Sequence, residues 1–381
     1  MMSPSVPRAR AVEVGIAVIG IALAACALGA RQTWLDRHFL PSFFLPRHWY
    51  VLIETIVRVF IGASGLLLAV VVRSRLARVI ANHPGDGLRI VAAIVLALAA
   101  GEWVMRHVHL GPTEWLSSGE EPRRLPDDRL GWVLMPARTG HASIGGRGID
   151  YAVDPAGYRV RHLDDPVDPA RPALVFAGES VMFGEGLRWD ETIPAQVGAK
   201  LGMPVANLAV HGYSSDQVYL RLERELPRFQ QPIAVVSLFM TALFGRNLDE
   251  DRPHLGPGLV WLPAQTTTRL ASLIHLIVPF RAERTVERGV GVTRAVFHAT
   301  ADLARARGAT PLIVVPQFGP EDRAEEALRR RVLDDVPYLL VVVDADWRLA
   351  WDRHPNARAA GVIADAIAAR LRDDASYAPR P

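Results

Sequence analysis

The chain has 381 residues, half of them apolar, with 43 Lys and Arg against 40 Asp and Glu for a formal charge of +3. That length suits one sizeable domain with something added to it. So small a charge excess, with no basic block interleaved with aromatics, gives no ground for a nucleic-acid partner, and the single cysteine, Cys26, excludes an intrachain disulfide.

The addition comes first. Residues 11–30 ("AVEVGIAVIGIALAACALGA"), 51–72 and 88–105 are apolar runs close to the roughly 20 residues that cross a bilayer as a helix. A secretory signal is the rival reading of the first run, but two more runs behind it favour a membrane anchor of three helices over residues 1–105. Arg8 and Arg10 precede the first run and Arg73, Arg75, Arg78 and Arg89 lie between the second and third, against Arg31, Arg37 and Arg47 in the other loop. This bias places the amino terminus in the cytoplasm, and three crossings carry the rest of the chain outside. Trp34, Phe39, Phe43, Phe44, Trp49 and Tyr50 crowd the first loop, as expected of side chains at a membrane interface. Glu54 and Arg58, four apart, are expected to pair on one helix face. His107 and His109 have a metal-compatible spacing but no third ligand nearby, so no metal is expected.

Residues 106–140 are polar and proline-punctuated and read as a tether; 141–381 form the soluble domain. "GIDYAVDPAGYRV" alternates about Asp154-Pro155-Ala156-Gly157, a hairpin pattern. Apolar runs at 173–178, 204–210, 233–239 and 310–317, with a fifth ending at Asp344, alternate with helical periodicities at 214–226, 285–307, 322–333 and 356–371. Strand alternating with helix implies an α/β fold, a three-layer sandwich around a central parallel sheet. Residues 246–282, rich in Pro and Gly, read as an insertion.

"ALVFAGESVMFGEGL" puts Ser180 where a strand gives way to a helix, the end of a parallel sheet at which ligands gather. No Lys follows the glycines as a P-loop requires, and Met182 stands where a nucleophile elbow needs Gly. What is left is a glycine-rich turn with an incidental serine, or a nucleophile. A nucleophilic serine needs a histidine base and an acid to orient it, and "WDRHPN" offers Asp352 and His354 before the last helix. An Asp-x-His at a helix start is equally a capping arrangement. Asp344 and Asp346 compete with Asp352 for the orienting role, and His211 borders the expected site.

In combination these segments resemble the SGNH, or GDSL-type, hydrolases. "FAGESVMFGEGL" is similar to their first block, "NLAVHGYSSDQ" to the second and "DRHPN" to the last. The resemblance implies a flavodoxin-like sandwich in which Ser180 is the nucleophile, His354 the base and then acid, and Asp352 its partner. The amide of Ser180 and Gly212 would form the oxyanion hole. Glu179 replaces the family's aspartate, and Asp352 lies two rather than three residues before the histidine, where Trp351 stands. The family's third-block asparagine is missing from its place, leaving Asn247 or Thr241 to complete the hole. The function implied is a membrane-anchored serine esterase on the periplasmic face of a bacterial inner membrane. It needs no cofactor and acts on O-acyl groups of an envelope glycan or lipid. The alternative is an inactive SGNH-like domain that binds a glycan or an acyltransferase partner in envelope assembly.

Overall fold

The computed structural model describes residues 6–373 apart from 42, 44, 83, 108–115, 117–118, 145, 266–267 and 351. The chain divides into two compact units, one of residues 1–39, 45–109 and 268–280, the other of 40–44, 110–267 and 281–381.

The first unit is helical. It holds α1 (Val6–Gly29), α2 (Gln32–His38), α3 (Arg47–Leu66), a π-helical stretch Leu67–Val72, α4 (Arg73–Asn82) and α5 (Pro84–Met105). Among the described residues two helices, Ala9–Gly29 and the continuous Arg47–Asn82, are long and apolar enough to cross a membrane by length and composition. Three were expected. The third run does form α5, whose sequence carries Asp86, Arg89 and Glu102. The apolar side chains of all three stand exposed, among them Leu28, Phe60, Val70 and Leu96. α1 packs on α3 at two glycines: a Cβ on Gly20 would lie 2.5 Å from the Gly65 carbonyl oxygen, and one on Gly65 2.6 Å from that of Gly20. Small residues let helix backbones approach this closely. The expected Glu54–Arg58 pair does not form among the described residues: Glu54 accepts from Gln32 Nε2 at 2.8 Å and Arg58 Nε reaches the Ala27 carbonyl. His107 packs edge-on to Trp103; His109 and Phe44 lie outside the described residues.

The second unit begins with β1 (Arg124–Asp127), β2 (Gly131–Leu134), β3 (Arg138–Ile144), β4 (Arg147–Val153), β5 (Arg159–Val160) and β6 (Ala173–Ala177). Then come α6 (Ser180–Phe183), α7 (Ile193–Leu201), β7 (Val205–Asn207), α8 (Ser215–Glu225) and β8 (Pro232–Leu238). A 3₁₀ segment, Thr241–Leu248, leads to β9 (His254–Leu255), β10 (Trp261–Leu262) and α9 (Arg269–Ile277). The chain ends with α10 (Glu283–Ala306), β11 (Thr310–Phe318), α11 (Arg323–Val332), β12 (Tyr338–Val343) and α12 (Ala357–Asp373). The expected insertion thus belongs to both units, since α9 lies in the first. The expected tether holds β1, β2 and the start of β3: short polar strands at Arg124–Asp127 look like loop until a partner strand is known.

The main sheet runs β12-β11-β8-β6-β7-β5-β4-β3. It is mixed, not wholly parallel. The five strands β12, β11, β8, β6 and β7 are parallel, and the β3–β5 meander adds to β7 antiparallel. The tight Asp154–Gly157 turn allows this, because Asp154 Oδ1 accepts from the amides of Ala156 and Tyr158. Read in chain order, the parallel part is 2-1-3-4-5, whose switch point lies between β6 and β8. Helices α7 and α12 pack together, as do α8 and α10, and every residue of β6 is buried, as in a strand covered on both faces. Phe43, expected at a membrane interface, is instead 3% exposed in the core of this unit.

Candidate active site

Ser180 opens α6 directly after β6, at the switch point. α6 can turn so sharply because residue 178 has no side chain: a Cβ there would lie 2.5 Å from Cβ of Met182. Glu179 caps the turn, its Oε2 accepting from the Val181 amide at 3.1 Å and from Ser180 Oγ at 2.6 Å. The far end of α6 is held by buried groups from other strands. Arg159, wholly buried, donates from Nη1 to the carbonyls of Phe183 and Gly184 at 2.7 Å and from Nη2 to that of Leu187 at 2.6 Å. Its guanidinium lies 4.7 Å from the ring centroids of Tyr151 and Phe183. Burial lowers its pKa to about 10, which leaves it charged at neutral pH. Asn207 Nδ2 also reaches the Phe183 carbonyl.

His354 lies before α12, 5% exposed, with Nε2 2.7 Å from Ser180 Oγ. Asp352 Oδ1 meets His354 Nδ1 in a short contact and also accepts from the His354 amide at 3.1 Å. The capping role falls to Asn356, whose Oδ1 accepts from the amides of Arg358 and Ala359 at 3.0 and 3.1 Å. Asp352 is left to His354, and its bond to the His354 amide brings the carboxylate to Nδ1 at a spacing of two. An acceptor at Nδ1 keeps the proton there and leaves Nε2 free for the serine. Burial lowers the His354 pKa, but the bond to Asp352 and the charges of Glu185, Asp352 and Glu179 outweigh it, and the net shift is upward. Glu185 Oε2 stands 3.7 Å from Nε2. For Asp352 burial acts upward, and the bond and charge of His354 carry the net shift down.

Gly212 follows β7 with φ +83°, a conformation that favours glycine, and a Cβ there would come within 3.1 Å of Trp132. Among the described residues no hydrogen bond takes the N–H of Ser180 or of Gly212. Asn247 is otherwise engaged. Its Nδ2 donates to Ser215 Oγ at 3.1 Å and Thr293 Oγ1 at 3.0 Å, and its Oδ1 accepts from the Ser215 amide. Both N–H donors of its amide are used, so it ties α8 to α10. Thr241 differs: its Oγ1 is buried beyond the carboxyl end of β8 and has no hydrogen-bond partner among the described residues. His211 faces Glu120, 3.3 Å from its Nε2, and packs on Phe183. Asp344 and Asp346 are exposed in their own turn and do not meet His354. Trp351 lies outside the described residues.

Sequence reading missed Arg159 and Asn207, whose role is visible only once β5, β7 and α6 are neighbours. It also missed Arg246, whose Nη1 is buried 3.9 Å from Glu179 Oε2 and has no hydrogen-bond partner among the described residues. Its burial depresses its pKa, against the pull of Glu179.

No family model and no curated protein matches the chain. Solved structures similar to it include G-D-S-L lipolytic proteins and carbohydrate esterases. A lipolytic protein of the G-D-S-L family from Desulfitobacterium hafniense is 12% identical over 52% of this chain and 98% of that one, with TM-score 0.34. An acetyl xylan esterase from Butyrivibrio proteoclasticus is 11% identical over 56% and 66%, with TM-score 0.35. A G-D-S-L family member from Veillonella parvula is 10% identical over 54% and 100%, with TM-score 0.32. Likeness at this level carries no chemical argument, which rests on the side chains above.

Proposed function

We propose that the chain is a membrane-anchored serine esterase of the SGNH type, with Ser180 as nucleophile, His354 as base and then acid, and Asp352 as its orienting partner. The observation that carries the reading is the chain of contacts from Asp352 through both nitrogens of His354 to Ser180 Oγ. Attack by Oγ on an ester carbonyl passes its proton to Nε2. The oxyanion then meets the amides of Ser180 and Gly212, with the Thr241 hydroxyl as third donor. His354 returns the proton to the leaving alkoxide, and water or a sugar hydroxyl resolves the acyl-enzyme. An O-acyl group on an envelope glycan or lipid is the substrate class we assign, from the anchor and the resemblance of the three blocks.

The anchor also bears on sidedness. Residues 40–44, 110–267 and 281–381 belong to one unit, which supports an even number of crossings between residues 44 and 110. Arg47–Asn82 is one crossing, and α5 supplies the return. Arg89 at one end of α5 can reach the interface. Glu102, near the other, accepts from the amides of Arg269 and Leu270 at 3.0 Å, capping α9. We therefore read three crossings, a cytoplasmic amino terminus and a periplasmic catalytic unit.

Asn247, with both donors committed, favours a second reading: a weakly active or inactive domain that binds a glycan or an acyltransferase. An active-serine phosphonate separates the two. The esterase is labelled, and Ser180→Ala is not. Folded wild-type protein that takes no label sinks the first reading.

A further inference from the structure

One more side chain touches His354, and it comes from the segment between α2 and α3. The Phe43 ring centroid lies 5.2 Å from that of the imidazole, the planes tilted by 58°. The Arg348 guanidinium stands 5.3 Å from the Phe43 ring and 4.0 Å from that of Phe318. The carbonyl of Phe43 accepts from Arg353 Nε at 3.0 Å. A main-chain bond, a cationic neighbour and near-complete burial thus hold this phenylalanine among residues that follow it by some three hundred positions.

We propose that Phe43 is a positioning residue for His354: it covers one side of the imidazole, keeps water from it and limits its rotation away from Ser180. The inference rests on the esterase reading. Asp352 meets the imidazole at Nδ1 and Ser180 meets it at Nε2; both contacts lie at the ring's edge, and packing against the ring is a further restraint. The charged groups around the ring are Asp352 on its own loop, Glu179 and Glu185 from the turn about α6, and Arg348 and Arg353 from the loop before it. Phe43 adds no charge. Its contribution is apolar contact and exclusion of water, and water admitted there would stabilise the imidazolium. The catalytic unit so described needs a piece of chain from the amino-terminal region, and a fragment beginning after residue 110 lacks it.

The test uses the full chain in detergent micelles, with a chromogenic acetyl ester and an active-serine phosphonate as probes. Phe43→Ala is expected to lower kcat about tenfold, since small displacements of a reacting group carry penalties of that order or more. KM should stay within about twofold, and the acid limb of the pH profile should move to higher pH. Phe43→Leu, which refills most of the volume, should recover most of kcat. If Phe43→Ala fails to fold, Phe43→Val must show the same two changes at reduced size. A folded alanine or valine variant with wild-type kcat and acid limb overturns the proposal, as does a rise in KM with kcat unchanged. Wild-type protein that takes no phosphonate defeats the esterase reading and this inference together. Labelled wild type with unaltered variant kinetics defeats the inference alone.

Discussion

Ser180 Oγ has one proton and two acceptors, Glu179 Oε2 at 2.6 Å and His354 Nε2 at 2.7 Å. While His354 is an imidazolium, its Nε2–H donates to Oγ and the serine proton turns to Glu179, so no attack follows. Activity therefore requires neutral His354, and because its pKa is raised, the acid limb of kcat/KM should lie above the ordinary histidine value of about 6.5. A limb well below that would contradict the assignment. Ser180→Ala and His354→Ala should each lower kcat by about 10³-fold or more, measured on an acetyl ester. The two candidates for the third oxyanion donor separate in the same assay. Thr241→Val should lose about 10²-fold in kcat, whereas Asn247→Ala should spare the chemical step and lower the unfolding temperature. Asp216 offers a test of stability alone. Burial raises its pKa to about 6, so the folded state binds its proton more tightly than the unfolded state does. Stability is then greatest below the unfolded value of about 3.9 and falls as pH rises toward 6. Asp216→Asn should remove that slope, read from thermal unfolding at a series of pH values.

Among the elements, those whose side chains repeat with a clear period were legible. β6, β8, β11 and β12 are runs of Val, Leu and Ile, and α8, α10, α11 and α12 carry apolar residues at helical spacing; each stands within a few residues of its expected place. The misses have separate causes. α7 begins with Thr192, whose hydroxyl accepts from the Ala195 amide at 3.3 Å, and ends at Gly202 in the left-handed region. Both signals were present but the helix is short. β1 and β3 are polar, and pairing rather than burial makes them strands, while β2 is short but buried. The α6 turn depends on elements distant in sequence, and Arg159 is the tie between them. Arg159→Met should leave the carbonyls of Phe183, Gly184 and Leu187 without that partner, a loss of about 3 kcal/mol or more. Unfolding and phosphonate labelling should both register it. On the helical side, Gly20→Leu should force α1 from α3, seen as a lower unfolding temperature in detergent.

At the scale of the molecule, the three crossings proposed above predict an outward carboxyl terminus. Alkaline phosphatase fused after Pro381 should be active in cells, and a reporter fused at Asn82 should be active only as a cytoplasmic marker; the reverse pair would overturn the orientation. The sequence by itself determined the chemistry on offer: a serine at a strand end, an Asp-x-His before the last helix, and apolar runs long enough for a bilayer. These are local, because periodicity, turn residues and spacing act over a few positions. Tertiary structure decided which offers are taken up. It joined Ser180 to His354 across 174 residues, spent the Asn247 amide on α8 and α10, and drew Phe43 into the core beside the imidazole. A hydrogen bond has few places for partners, and a buried surface has one set of neighbours. Which residues fill them is fixed only when the strands have found their order.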